Sequence, residues 1–432
     1  MSVRYRCSEE LLEQALRVIP LGSQTFSKSK TALPFGVSPY FVDHAKGSRF
    51  WDVDGNEFID FVNGLCCVTL GYCDPDVDAA VRTQMESGVT FSLPHRLEMD
   101  VASMLVEMIP CAEKVRFAKN GTDATSGAIR VARAYTGRER VAVCGYHGWQ
   151  DWYIGSTSRD LGVPRGVKTL THTFQYNDIA SLHQILDVHP GEFAAVILEP
   201  MNSEFPRDGF LESVRAAAHR HGAVLIFDET ITGFRFSTGG AQQALGVIPD
   251  MATFGKGLAN GYPLSALVGE SRYMDLIEQV FFSGTFGGET LSLAAAKAVL
   301  TKLRTEPVID TLKTRGGRIV KEVNSLIDDL GMAPILAISG HPSWSFLRIK
   351  DVGPFSKAQV KTFFLQEVFK RGIYTLGTHN LSYAHTDRDV DELLTCYREV
   401  FPLIKDAVDS GALHERLECA PLVPLFTFMP RS

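Results

Sequence analysis

The sequence predicts an α/β protein with a mainly parallel central sheet and a second, smaller α/β unit towards the C-terminus. Three observations predict it. The runs 141–144 (VAVC), 194–198 (AAVIL) and 223–227 (AVLIF) are short, unbroken and apolar, as strands buried on both faces are. Helical stretches separate them: Ala124, Ala128, Val131, Ala132 and Tyr135 share one face of 123–135, and 210–220 forms another helix. Beyond about residue 320 strand and helix patterns restart on a smaller scale. Such alternation covers a parallel sheet with helices, and open sheets of this kind bind ligands beyond the carboxyl ends of their strands. Chemistry is therefore expected just after those runs.

From the N-terminus, Leu11, Leu12, Ala15, Leu16 and Ile19 recur at helical spacing, which predicts a helix over 8–18. Residues 20–35 carry prolines and lysines and read as a loop. In SRFWDVDGNEFIDFVNG, Phe50, Asp52 and Val53 approach an Asp-Gly turn and Phe58, Ile59 and Phe61 lead away, which predicts a hairpin. The helix and strand alternation occupies about 66–300. After it, 343–349 (SWSFLRI) and 372–376 (GIYTL) read as strands and 390–404 as a closing helix. The apolar, proline-containing tail 419–432 reads as a strap packed on the body.

The 432 residues are 45% hydrophobic and 22% charged, values that exclude a disordered, collagen-like or coiled-coil chain. A net charge of −7 provides no basic field to gather nucleic acid or anionic lipid, so neither is expected as a partner. The apolar runs fall short of the roughly 20 residues that span a bilayer. The opening MSVRYRCSEELLEQAL has no apolar core of a signal peptide, so a cytoplasmic location is expected. Cysteines 7, 66, 67, 73, 111, 144, 396 and 419 form no CxxC pair and no metal spacing with histidine. Reduced thiols and no metal are therefore expected.

Several features lie where ligands are expected. Asp228 directly follows its strand in AVLIFDET, and a strand-end aspartate serves as a cap or as a functional carboxylate. Lys256 stands between glycines in ATFGKGLANG. That context suits a surface turn, or a lysine that forms a Schiff base with a closely approaching ligand. In KNGTDATSGAIRVARAYTG, Asn120, Gly121 and Thr122 lead into an amphipathic helix. They suit a plain N-cap, or a phosphate cradle of free N–H groups at the positive helix end. Tyr146 and His147 of CGYHGW follow another strand, where an aromatic packs in the core or covers a flat ligand ring. Glu199 and Glu204 follow a third, and Gly284 and Thr285 of FFSGTFGGET offer donors to a second phosphate oxygen. Each has an ordinary structural explanation alone. Together, a phosphate cradle, an aromatic face, a strand-end aspartate and a glycine-flanked lysine describe a pocket for pyridoxal phosphate. That cofactor needs a Schiff-base lysine and an acid that keeps its ring nitrogen protonated. No GxxxxGK[ST] or GxGxxG element supports a nucleotide instead.

With these residues the chain resembles the class III aminotransferases of the aspartate-aminotransferase fold (fold type I), most of all the glutamate-1-semialdehyde aminomutase group and its sugar and secondary-metabolite relatives. The resemblance runs over about 9–405 and rests on WDVDGNEFIDF, KNGTDATSGAIRVARAYTGR, YHG, LEP, LIFDETITGFR, FGKGLANGYPLSAL, SGTFGGE and AHT. It implies a large cofactor-binding domain, 66–320, and a small α/β domain built from both chain ends, 1–65 and 321–432. It implies Lys256 as the Schiff-base and proton-shuttling residue and Asp228 as the partner of the ring nitrogen. Tyr146 would stack on one ring face with His147 beside it. Thr230 would meet the other face, where the family usually has valine. Asn120, Gly121 and Thr122 would hold the phosphate, and Glu204 joins the cofactor-binding set. Thr285 matches a phosphate ligand supplied by the neighbouring subunit, so a homodimer is implied.

Departures from the family bear on the substrate. The family's Asn-Ser-Gly-Thr-Glu reads Lys119-Asn120-Gly121-Thr122-Asp123 here, which exchanges a hydroxyl for an amide. A tryptophan of the aminomutases stands near Leu65, and leucine leaves more room. Lys28 falls near an arginine that receives the substrate carboxylate, and lysine offers a point charge without a fork. The segment GIYTLGTHNLSYAHT is shorter than its aminomutase counterpart and offers His379 and Asn380 in place of a glutamate. These changes suit a larger, hydroxylated or cyclic carbonyl.

The expected activity is transfer of an amino group from an amino acid donor, L-glutamate, to a ketone or aldehyde: a keto-sugar, a cyclitol-type ketone or a secondary-metabolite precursor. The alternatives are an intramolecular 2,1-aminomutase, which releases no separate keto acid, a racemase or epimerase, and a non-catalytic homologue. Retention of Lys256, Asp228 and Tyr146 counts against the last. Arg235 reads as a structural ion-pair partner, Glu199 as an orienting acid, and Cys66 and Cys67 as packing thiols.

Overall fold

A computed structural model of the protein describes residues 3–423. Within them the chain divides into two compact units. The larger comprises 66–69 and 75–309; the smaller comprises residues up to 65, 70–74 and those from 310 onward.

The larger unit is built on a seven-stranded sheet. Its strand order is Lys114–Ala118, Ser265–Gly269, Met251–Phe254, Val224–Asp228, Phe193–Leu198, Arg140–Cys144 and Thr171–Thr173. Ser265–Gly269 runs antiparallel to both neighbours, and the remaining pairs are parallel. Every residue of Phe193–Leu198 and Val224–Asp228 is buried, which is why these strands read as unbroken apolar runs. The helix Gly121–Thr136 lays Ala128, Ile129, Val131 and Ala132 into the core with Val141, Val143, Ile197 and Ile226. Tyr135, expected on that face, is 44% exposed and meets the ring of Tyr273 edge-on. The helix begins where Asp123 Oδ2 accepts from the Asn120 amide at 2.8 Å and ends at Gly137, whose φ of +67° suits a left-handed cap.

The smaller unit joins both chain ends in one sheet. The hairpin Arg49–Asp52 and Glu57–Asp60 pairs on one side with Val42–Lys46 and on the other, in parallel, with Ile373–Tyr374. A second sheet holds Leu336–His341, Trp344–Ile349 and Thr378–Asn380. The strand expected over 372–376 is thus only Ile373–Tyr374. Thr375 Oγ1 accepts from the amides of Gly377 and Thr378 and donates to the Thr378 carbonyl, which turns the chain before it restarts at Thr378. The boundary expected at 320 falls inside the helix Val308–Asp329; the units part at 309/310, near that helix's start. The closing helix is Asp387–Asp409. Residues 418 and 422 bond through their amides to Gln366 and Thr362 of the helix Lys357–Lys370. The expected strap beyond 423 lies outside the described residues. All eight cysteines are unbridged. No helix among the described residues is long and apolar enough to cross a membrane.

Candidate active site

Asp228 is the last residue of the strand Val224–Asp228 in the larger unit. Its side chain is buried, and four donors converge on it. His147 Nδ1 lies 2.9 Å from Oδ2. The Thr230 amide at 3.1 Å, the Thr230 hydroxyl at 2.6 Å and the Thr253 hydroxyl at 3.1 Å all donate to Oδ1. Burial pushes this carboxyl up, but the hydrogen bond and charge of His147 and the Thr230 donors outweigh it and hold it below the usual carboxylate range. His147 is itself buried, and its Nε2 lies 3.1 Å from the Cys144 carbonyl.

The lysine turn follows from strand register. Thr253 is the partner of Asp228 across two parallel strands, and Lys256 comes three residues later, in the turn Lys256–Ala259. Lys256 has a φ of +43°, a left-handed conformation in which residues other than glycine are strained. Its neighbour Gly257 lies so close to the segment 66–69 that a Cβ there would fall 2.4 Å from Thr69 Oγ1. The buried Arg235 also donates towards Thr69 Oγ1, at 3.5 Å.

Thr230 links these parts to the start of the helix Gly121–Thr136. A Cβ on Gly121 would meet its side chain at 3.0 Å, and one on Gly255, just before the lysine, at 3.3 Å. Ser265 Oγ donates to the Asn120 carbonyl at 2.8 Å and fixes the same helix start. There Thr122 is buried, and its Oγ1 has no partner within the protein. Gly148, at φ +109°, passes so close that a Cβ would fall 2.2 Å from that oxygen. A buried hydroxyl left unpaired at a helix N-terminus fits an anionic group bound there. Asp228 likewise keeps acceptor capacity on Oδ2 for a ring nitrogen. The residues present therefore fit pyridoxal phosphate.

On the other side, Glu199 Oε2 accepts from the Tyr146 amide at 3.1 Å and from Asn202 at 2.8 Å. Burial and then the Asp228 charge push its carboxyl up. A Cβ on Gly145, at φ +104°, would fall 2.5 Å from this oxygen, so only glycine lets the strand end lie here. Tyr146 is 47% exposed, with its ring edge-on to Tyr153.

Asp228, His147, Thr230, Gly121, Thr122, Asn120 and the Lys256 turn are thus assembled in one unit. Glu204 is not part of this cluster: it is exposed, and Glu199 is the acid of that segment that contacts Tyr146. Thr285 is exposed on 281–287, which lines a cleft of about 730 Å³ with Lys119, Asp123, Arg130 and Trp152 but not with Lys256 or Asp228. The four expected substrate residues belong to the smaller unit. Lys28 is exposed at the end of a short turn, and Leu65 is half-buried at φ +61°. His379 is fully buried, with Nδ1 2.9 Å from Ser345 Oγ and Nε2 2.8 Å from the Tyr397 hydroxyl. Both nitrogens are occupied, and burial lowers its pKa to about 3, so it is a core histidine rather than a substrate reader. The Asn380 amide nitrogen is likewise committed, to the Val62 carbonyl at 2.7 Å. Thr253 and Ser265 were not anticipated; a hydroxyl inside a short apolar strand carries no recognisable signal.

Comparison with known proteins converges on one family. The profile of "Aminotransferase class-III" matches residues 33–334. A 3-aminobutyryl-CoA aminotransferase of Cloacimonas acidaminovorans is 34% identical over 92% of this chain and 97% of its own length. A glutamate-1-semialdehyde 2,1-aminomutase of Syntrophobacter fumaroxidans is 33% identical over 92% and 98%. Among solved structures, the pyridoxal-phosphate form of the FumI protein of Sphingopyxis sp. MTA144 superposes with a TM-score of 0.86 at 29% identity, covering 98% of this chain and 99% of that one.

Proposed function

The chain belongs to the class III aminotransferases, enzymes that use pyridoxal phosphate, and from that membership we propose that it moves an amino group from L-glutamate to a ketone or aldehyde on a separate molecule. The observation that carries the reading is the Asp228 cluster, one strand away from the Lys256 turn in a single unit. When bound, pyridoxal phosphate supplies an electron sink for the carbon that bears the amine. Lys256 is the base: its amine takes a proton from that carbon and returns one in the reverse half-reaction. Asp228, oriented by His147, faces the ring nitrogen. Tyr146 covers one face of the ring, and Glu199 fixes the backbone that carries Tyr146. Asn120, Gly121 and Thr122 hold the phosphate.

The acceptor follows from what the site residues leave available. Both His379 nitrogens and the Asn380 amide nitrogen are engaged in the protein's own bonds, while Asn380 Oδ1 is buried without a partner, so these two residues do not define a hydroxylated ring and the acceptor is assigned by its carbonyl alone. The relative whose name places its amine at position 3 favours a carbonyl other than that of an α-keto acid.

A second copy of the chain completes the site. Leu93 is 79% exposed, Phe281 82% and Phe286 58%, all on the larger unit. The hydroxyl of Thr290 bonds the carbonyls of Gly88 and Val89 and ties their two segments together. An apolar surface of this kind beside Thr285 supports a homodimer in which Thr285 reaches the partner's cofactor phosphate.

The test is a titration of the yellow holoenzyme with L-glutamate and no acceptor. Bleaching with one 2-oxoglutarate released per site supports intermolecular transfer. The aminomutase relative motivates the alternative: a substrate isomerised with no keto acid released would replace transfer by intramolecular exchange.

A further inference from the structure

The hydrogen bonds on Asp228 are unequally shared between its two oxygens. A carboxylate offers about four lone-pair sites, two on each oxygen. Oδ1 receives three donors: the Thr230 amide, the Thr230 hydroxyl and the Thr253 hydroxyl. The Thr230 amide and the Thr253 hydroxyl alone match its two sites, and the Thr230 hydroxyl is a third donor to it. Oδ2 receives only His147 Nδ1. One acceptor site therefore stays open, and it lies on Oδ2. The Thr230 hydroxyl makes the shortest of these contacts, at 2.6 Å, and valine, usual at this position in the family, has no donor to replace it. The side chain that makes it is held between Gly121 and Gly255, each of which would press a Cβ against it.

We propose that Thr230 is a positioning residue that acts through Asp228: its hydroxyl adds a third, short hydrogen bond to an oxygen that two other donors already meet, and so weakens the carboxylate as a partner for the ring proton. This rests on the reading of Asp228 as the ring-nitrogen partner. A carboxylate whose charge is drawn towards three donors stabilises a neighbouring cation less than one with a free oxygen. In this chain the ring proton is accordingly held less firmly than valine would allow. Other titratable groups meet the same carboxylate. His147 faces it directly, and Glu199 and Tyr146, both raised first by burial, are raised further by its charge.

The experiment reconstitutes the enzyme with pyridoxal phosphate labelled with nitrogen-15 in the ring and follows the ring-nitrogen resonance against pH. Thr230→Val should raise the ring nitrogen's proton affinity about tenfold, moving its midpoint up by roughly one pH unit. Thr230→Ser, which keeps the hydroxyl, should titrate as the unaltered protein does. Equal midpoints for Thr230→Val and the unaltered protein, with Asp228→Asn clearly shifted, would overturn the role of Thr230 and leave Asp228 in place. Equal midpoints in Asp228→Asn as well would overturn the ring-nitrogen reading and the proposal together.

Discussion

His147 Nδ1 stands 2.9 Å from Asp228 Oδ2, and both side chains are buried. They are 81 positions apart in the chain. The ends of the two strands that flank Phe193–Leu198 bring them together, because Cys144 and Leu198 are register partners and Leu198 in turn pairs with Phe227. A buried carboxylate without this contact would be driven towards its neutral form by desolvation. The pair keeps Asp228 ionised, and an ionised Asp228 is what a ring nitrogen requires.

The first prediction concerns that dependence. His147→Phe removes the largest opposing influence on Asp228 and leaves burial acting on it. The Asp228 pKa should then rise, and the acid limb of the kcat/KM profile should move up by about one pH unit or more. Stability has the same sign. In the unaltered protein the folded-state pKa is depressed, so its contribution is complete above the unfolded carboxylate value near pH 4 and is lost as pH falls through the folded value. An acid limb that stays in place in His147→Phe would show that the histidine does not hold the charge.

Thr122→Val gives a second test. Its hydroxyl oxygen is buried and unpaired without a ligand, so the substitution should leave the melting temperature of the cofactor-free protein unchanged or higher. Affinity for pyridoxal phosphate should fall about tenfold, the loss of one hydrogen bond to a charged group. Fluorescence titration of the cofactor-free protein measures it. Unchanged affinity would remove Thr122 from the phosphate cradle.

Legibility in the sequence followed burial and distance. Phe193–Leu198 and Val224–Asp228 are readable because both faces are covered and every position is apolar or terminal. Asp228, Lys256 and the helix start at Gly121 are readable because each directly follows such a strand or opens a periodic helix. The contacts among them are not, since register alone makes Thr253 the neighbour of Asp228. Two acids trail the strand Phe193–Leu198, and sequence does not say which turns inward; the close approach of Gly145 selects Glu199. His379 looked available because it falls in the segment where the aminomutases carry a glutamate. Its partners Ser345 and Tyr397 lie 34 and 18 positions away and have no local signature.

The third prediction separates core from site in the smaller unit. His379 is held neutral to about pH 3, whereas an unfolded histidine protonates near 6.5. Below the unfolded value only the unfolded chain takes up the proton. The smaller unit should therefore lose about 1.4 kcal/mol per pH unit from this group as pH falls from 6.5 towards 3, with no contribution above 6.5. His379→Gln should flatten that slope in urea unfolding. KM for donor and acceptor should stay within about twofold at neutral pH, because the ring bonds only protein atoms. A large KM change with unaltered stability would return His379 to the substrate.

Lys256 carries the last prediction. Lys256→Ala should abolish the visible absorption of the holoenzyme and lower kcat by about 10³-fold or more, since one residue both binds the cofactor covalently and moves the proton. The fold should survive. The residue already adopts a φ of +43° within a turn fixed by Gly255 and by the contact of Gly257 with Thr69, and neither involves the lysine amine. Added methylamine should restore part of the proton transfer in Lys256→Ala, because a small amine can enter the space that the side chain vacates. Circular dichroism matching the unaltered protein, together with that rescue, separates a lost base from a lost structure. Turnover near the original rate without rescue would place the base elsewhere.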